Sequence, residues 1–241
     1  DFSFWNTPLV ELAGKTMGIV GMGSIGQAVC RIARAFGMPV VFENRSAKPQ
    51  LESDGVRQVS LDELLAVSDV VTLHAPATPE TDRMMNAQTI GRMKDGAYLL
   101  NTARGMLVDE QAVVDALRSG KLAGFAADVV SVEPMQPDNP LLQAKGQNII
   151  VTPHIAWATH EARERLLATV TANVGAFVEG APQNVANQTA AYDCVPEPGR
   201  LRGIPASPHS AARRTTGGSA STRSLASSER GDGLHVRHRR I

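Results

Sequence analysis

Thr16-Met17-Gly18-Ile19-Val20-Gly21-Met22-Gly23-Ser24-Ile25-Gly26 is an apolar run that breaks into three spaced glycines. A helical pattern follows it as far as Phe36. The spacing predicts a strand over Thr16 to Val20 and a helix over Ser24 to Phe36, joined by a Gly-x-Gly-x-x-Gly turn. Each glycine has a physical use there. Gly21 permits the tight turn, Gly23 lets the backbone approach a pyrophosphate, and Gly26 lets the helix sit close against the strand. The free N–H groups of Ser24 and Ile25 at the helix start face an anion. An ordinary glycine-rich turn is the alternative, and the repeating pattern downstream weighs against it.

Short apolar, β-branched runs alternate with amphipathic stretches from there to Glu179. Strands are predicted at Val40 to Phe42, Asp69 to Leu73, Ala97 to Leu100, Ala123 to Ala127 and Asn148 to Val151. Helices are predicted at Leu61 to Val67, Ala87 to Met93, Asp109 to Ser119 and Thr159 to Glu179. This order gives an α/β fold: a Rossmann-type, doubly wound parallel sheet with helices on both faces. Asp109-Glu110 suits the positive end of a helix dipole, and Ser119-Gly120-Lys121 is a stop signal.

The chain has 241 residues, 43% of them apolar and 20% charged, enough for a real core. Its 24 Lys+Arg balance 24 Asp+Glu, which gives no electrostatic case for nucleic acid or an anionic membrane. The charge is unevenly placed: residues 190–241 hold 9 Arg and 4 acids, leaving 15 basic and 20 acidic residues before them. That last segment is rich in Arg, Ser, Gly and Pro, has no structural period, and reads as disordered. Cys30 and Cys194 stand outside any metal or redox spacing, so no metal site is expected and a reducing, cytoplasmic setting is. No run approaches the length of a membrane span.

The end of the second strand selects the nicotinamide cofactor, because an acid there accepts from the ribose 2′-hydroxyl and an Arg beyond a neutral residue accepts a 2′-phosphate. The sequence reads Phe42-Glu43-Asn44-Arg45-Ser46. If the strand ends at Asn44 the acid is absent and Arg45 is available; if Glu43 points inward, NAD is favoured. A solvated surface charge is the alternative for Arg45.

Further motifs follow: Pro8 to Thr16 ahead of the glycines, Leu73-His74-Ala75-Pro76, Asn101-Thr102-Ala103-Arg104-Gly105, Ala127-Asp128-Val129 with Glu133-Pro134, and Thr152-Pro153-His154-Ile155-Ala156-Trp157. With them the chain resembles, from about Phe4 to Asn187, the D-isomer-specific 2-hydroxyacid dehydrogenases, and most of all their glycerate dehydrogenase or hydroxypyruvate reductase branch. The resemblance implies hydride transfer between NAD(P)H and a short 2-keto acid, hydroxypyruvate or glyoxylate, with NAD slightly preferred. It assigns catalysis to Arg104, Glu133 and His154. The chemistry agrees: Arg offers a planar fork to a carboxylate, His exchanges a proton near neutral pH, and Glu133 fixes the tautomer of His154. A surface arginine, a structural histidine and a turn glutamate are the plainer readings.

The same resemblance places Asp128 against the nicotinamide carboxamide, with capping of the next turn as its alternative. It adds Thr102 and Thr81 to the cofactor contacts, Thr81 as a side-chain donor to the pyrophosphate. His74 is expected to border the cofactor through backbone, and Trp157 to wall the substrate pocket or pack a domain junction. It also implies a homodimer paired through the nucleotide domain.

Four parts are expected: a linker over 1–15 from a missing half-domain, the nucleotide-binding domain over 16–155, the return helix of a substrate domain over 156–189, and an aberrant tail over 190–241 with a translated frameshift as its origin. On that view the chain is N-terminally truncated and lacks the family's N-terminal substrate-binding loop. Leu166, Leu167, Val170, Val174, Phe177 and Val178 of the return helix would then be partly exposed. Two other functions fit the same residues: a corepressor-like, cofactor-responsive binding protein, and an inactive fragment that binds nucleotide only.

Overall fold

A computed structural model describes residues 9–186. The expectations for the first eight residues and for the 190–241 tail lie outside the described residues. The chain divides after Thr171 into two compact units, and the first carries the whole sheet.

Seven parallel strands run in the order β3-β2-β1-β4-β5-β6-β7. They are β1 (Met17–Val20), β2 (Val40–Glu43), β3 (Val56–Gln58), β4 (Val70–Leu73), β5 (Ala97–Asn101), β6 (Leu122–Ala127) and β7 (Ile149–Val151). The helices are α1 (Ser24–Ala35), α2 (Leu61–Val67), α3 (Ala87–Arg92), α4 (Glu110–Ser119) and α5 (His160–Val178). The chain winds outward from β1 to β3 and then crosses back to β4, so the winding direction reverses between β1 and β4. The crevice beyond the carboxyl ends of those strands is where such sheets take ligands.

Alternation along each strand sends side chains to two cores. Ile19, Val40 and Phe42 join Met22, Ala33, Met38 and Val56 on one face. Val20, Val41, Val71 and Leu73 join the larger cluster under α2, α3 and α4 on the other. A sheet buried on both faces needs such apolar strands, which is why they were legible as runs.

Local chemistry sets the helix ends. Ser60 caps α2 by accepting from the Glu63 N–H, Asn86 and Thr89 form a capping box on α3, and Asp109 accepts from the N–H groups of Gln111 and Ala112 to cap α4. Gly120 then ends α4 in the left-handed region at φ +78°. Helix α1 alone among these four has no side-chain cap: Gly23 stands at its N-cap, and its first turn holds no acid. Its leading N–H groups therefore stay free for a ligand.

Three-residue β3 has no counterpart among the predicted strands. It follows the Asp54-Gly55 turn and carries Arg57 and Gln58, so only Val56 signals the sheet. The six apolar residues of α5 named above are exposed, from Phe177 at 44% to Leu167 at 65%.

Candidate active site

Every candidate residue lies in the segment that follows the carboxyl end of a strand, either in the loop or in the first turn of the next helix. After β1, Gly21 takes φ +96°, and a Cβ there would lie 2.6 Å from the His74 carbonyl oxygen. A Cβ on Gly26 would lie 2.2 Å from the Gly21 carbonyl oxygen. Both glycines are thus enforced by packing. Gly23 differs, because its Cβ would meet nothing within 4 Å. Gly23, Ser24 and Ile25 are exposed, and they form an open shelf at the uncapped start of α1. An open backbone shelf at a helix N-terminus suits a pyrophosphate.

Past β2, the Met22 N–H donates to Asn44 Oδ1 at 3.1 Å, which ties the glycine turn to the second strand. Asn44 Nδ2 donates onward to the Ser46 carbonyl and hydroxyl. Glu43 is the last residue of β2 and is partly buried, and burial pushes its carboxyl pKa up. Arg45 is exposed.

Past β4, His74 Nε2 lies 3.1 Å from Thr72 Oγ1, and burial lowers the His74 pKa. The Thr81 hydroxyl donates to the Pro76 carbonyl at 2.7 Å and accepts from the Thr78 N–H at 2.8 Å, so it is engaged inside its own loop.

Past β5, Thr102 and Arg104 are exposed. The buried Asn101 accepts from the Ala103 N–H at 3.1 Å and donates to the Arg104 carbonyl at 2.9 Å, which clamps the turn. The Arg104 guanidinium donates to the Ala103 carbonyl at 2.6 Å and pairs with no carboxylate among the described residues. Its outer N–H groups are left for an anion.

The ends of β6 and β7 meet. His154 Nδ1 lies 2.7 Å from Glu133 Oε2, both side chains being partly exposed. The hydrogen bond with His154 is the main cause that holds the Glu133 carboxyl below the usual range; partial burial opposes it, and the Val130 N–H assists. His154 itself has φ +53°, a conformation few side chains adopt without support.

That support is Asp128, only 5% exposed. Its Oδ1 accepts from Thr152 Oγ1 and from the Ile155 N–H at 2.9 Å, and its Oδ2 accepts from the Ala156 N–H at 2.8 Å. Burial acts to raise the Asp128 pKa, but these bonds and the nearby His154 outweigh it and hold the group down. Asp128 thus braces the histidine loop, and it also lines the cavity beside His154. Thr152 and Asn101 stand in the quoted motifs, but nothing in the sequence gives either of them a role. A side chain that braces the backbone of a distant strand end has no local pattern.

A cavity of 820 Å³ brings together Asp128, Glu133, Thr152 and His154 with Val130, Met135 and other apolar residues. Arg104 and Trp157 are not in its lining, and Trp157 is exposed. The arrangement offers an anion shelf, a bracketed imidazole–carboxylate pair and a free guanidinium along one edge of the sheet.

Residues 4–156 match the family profile described as "D-isomer specific 2-hydroxyacid dehydrogenase, NAD binding domain". A hydroxypyruvate reductase of Blautia hydrogenotrophica is 51% identical over 188 residues, covering 78% of this chain and 58% of that protein. A glycerate dehydrogenase of Methylorubrum extorquens is 44% identical over 185 residues, covering 77% and 57%. Among solved structures, a D-lactate dehydrogenase of Aquifex aeolicus in complex with NAD and lactic acid is similar with a TM-score of 0.69 and 38% identity, covering 75% of this chain and 58% of that one. The chain thus spans somewhat more than half the length of the curated relatives it matches.

Proposed function

The chain belongs to the D-isomer-specific 2-hydroxyacid dehydrogenase family, and from that we propose that it interconverts a short 2-keto acid and its 2-hydroxy acid, hydroxypyruvate with D-glycerate or glyoxylate with the achiral glycolate. The single observation that carries the reading is the 2.7 Å His154–Glu133 pair, standing at the same strand ends as an uncapped glycine shelf.

Gly21, Gly23 and Gly26, with the N–H groups of Ser24 and Ile25, would hold the pyrophosphate of the dinucleotide, and Thr102 borders it. Bound NAD(P)H supplies the hydride that reduces the keto carbon. The Arg104 fork takes the substrate carboxylate and draws electron density from the adjacent carbonyl. The imidazole of His154 turns Nε2 to the substrate because Nδ1 is bound to Glu133, and from Nε2 it protonates the developing alkoxide. The Glu133 carboxylate holds the ring in the orientation and tautomer from which Nε2 can donate. In the reverse direction His154 takes the proton from the hydroxy acid.

Cofactor choice follows from Asn44. The residue bonded to the glycine turn is neutral, the neighbouring Glu43 has its ionised form disfavoured by burial, and Arg45 stands exposed beside them. A neutral partner followed by a guanidinium accommodates a 2′-phosphate, which favours NADP(H) against the slight preference for NAD that the family resemblance implies. A homodimer paired through the nucleotide domain, in a reducing cytoplasm, completes the proposal, supported by the family resemblance and the sparse cysteines.

The test is oxidation of NADPH and of NADH by the chain with hydroxypyruvate, glyoxylate or pyruvate. Oxidation with the first two, faster with NADPH, is expected. Bound cofactor with no 2-keto acid reduced would overturn the activity.

A further inference from the structure

The proposed chemistry leaves one buried charge without a task. Glu110 opens α4 at 8% exposure, and no Lys or Arg pairs with it among the described residues. A carboxylate withdrawn from water is retained only where hydrogen bonds replace its solvent. Glu110 has three: from the Ser131 N–H at 2.7 Å, the Ser131 hydroxyl at 2.7 Å and Asn139 Nδ2 at 2.9 Å. The first turn of α4 adds its positive dipole end.

The two partners of Glu110 bracket one loop. Ser131 begins the excursion that holds Glu133 and Asn139 ends it; Asn139 is itself buried, and its Oδ1 accepts from the Leu141 N–H. Between them nearly every residue from 131 to 138 is exposed, Met135 being the partly buried exception, so apolar packing does little to place the loop. At its root the Val130 N–H donates to Glu133 Oε1 at 3.2 Å, which leaves Oε2 for His154. A Cβ on Gly105 would fall 1.9 Å from the Val130 carbonyl oxygen, so the Arg104-Gly105 turn lies flush on the same backbone.

We infer that Glu110 is a positioning residue: its buried carboxylate fixes both ends of the 131–139 loop and thereby holds Glu133 against His154. The inference rests on the reading of that pair given above. Glu110 is not in the lining of the cavity that holds the pair, and it acts through Glu133.

The experiment reads the hydrogen bond directly, without turnover. An imidazole Nδ1 proton shared with a carboxylate resonates far downfield, and proton NMR of the full chain with nitrogen-labelled histidine identifies that of His154 by its loss in Glu133→Gln. In Glu110→Ala the resonance is expected to vanish or broaden, while NADPH binding, followed by fluorescence, stays within about twofold of wild type. Ser131→Ala keeps the backbone bond and is expected to move the resonance part of the way. Glu110→Gln, which retains one acceptor, is expected to recover part of it.

A wild-type resonance in Glu110→Ala overturns the inference, as does a wild type that lacks the resonance. If Glu110→Ala does not fold, Ser131→Ala and Asn139→Ala decide, and an unmoved resonance in both overturns it. Failure of the wild type to reduce any 2-keto acid would remove the proposed activity and leave this readout standing.

Discussion

His154 and Glu133 are 21 residues apart in the chain and 2.7 Å apart in space. Neither belongs to a helix or strand, so the distance is set by what holds their loops. Asp128 braces the histidine side through Thr152, Ile155 and Ala156, and Glu110 braces the glutamate side through Ser131 and Asn139. Two buried carboxylates, one on each side, thus hold one partly exposed imidazole–carboxylate pair.

Replacing Glu133 by Gln keeps the size of the side chain and removes the charge that His154 Nδ1 is bonded to. The expected loss in kcat/KM is about 10²-fold or more, typical of a general acid deprived of its partner, with cofactor affinity held near wild type. Steady-state kinetics with fluorescence titration check both. The pH dependence has a definite sign. The Glu133 carboxyl is lowered in the folded chain, so its stabilising contribution is complete above the ordinary Glu value of about 4.3 and is lost as pH falls through the lowered one. Denaturation from pH 6 down to about 3 should show a shallower decline in Glu133→Gln than in wild type.

Asp128→Asn presents an amide donor to groups that already donate. One partly buried N–H or hydroxyl loses its acceptor, at a cost of about 1 kcal/mol in urea denaturation. Because the 152–156 loop then loosens around a residue at φ +53°, kcat is expected to fall while cofactor affinity stays within a fewfold of wild type. Unchanged stability in Asp128→Asn would show that the bracket does not hold the loop.

Two glycines of one turn should fail differently. At Gly26 an added Cβ meets the Gly21 carbonyl at 2.2 Å, so Gly26→Ala is expected to lower the melting temperature and cofactor binding together. At Gly23 the Cβ meets nothing, and φ is −77°, which alanine adopts freely. Gly23→Ala should keep stability to within about 1 kcal/mol, yet weaken cofactor binding at least tenfold, because its Cβ occupies the shelf. Calorimetry and fluorescence titration separate the two outcomes.

Arg45→Ala tests the choice between cofactors. A guanidinium on a 2′-phosphate contributes about 1.5–3 kcal/mol, so the Kd for NADPH should rise roughly 10- to 100-fold. The Kd for NADH should hardly move. Equal effects on both would return Arg45 to the status of a surface charge.

Much of this was legible in the chain itself, and the reasons are physical. A sheet buried on both faces forces apolar runs, so six of seven strands announced themselves, while Val56–Gln58 shows one buried residue and no run. The glycine turn was legible because each glycine answers a local constraint. His154, Glu133 and Arg104 could be named from motifs, but their geometry could not, since it depends on Asn101, Asp128 and Glu110, whose partners lie on other segments. Asp128 shows the limit most clearly: its motif says nothing of the bonds it accepts from the loop that carries His154.

In the proposed reduction His154 moves the proton, and hydroxypyruvate-dependent oxidation of NADPH by wild type and by His154→Asn, with cofactor fluorescence recorded in the same samples, tests that role without intermediaries. Wild type is expected to oxidise NADPH and the variant to do so about 10²- to 10⁴-fold more slowly, with cofactor affinity retained. A variant that oxidises NADPH at the wild-type rate would remove His154 from the proton transfer.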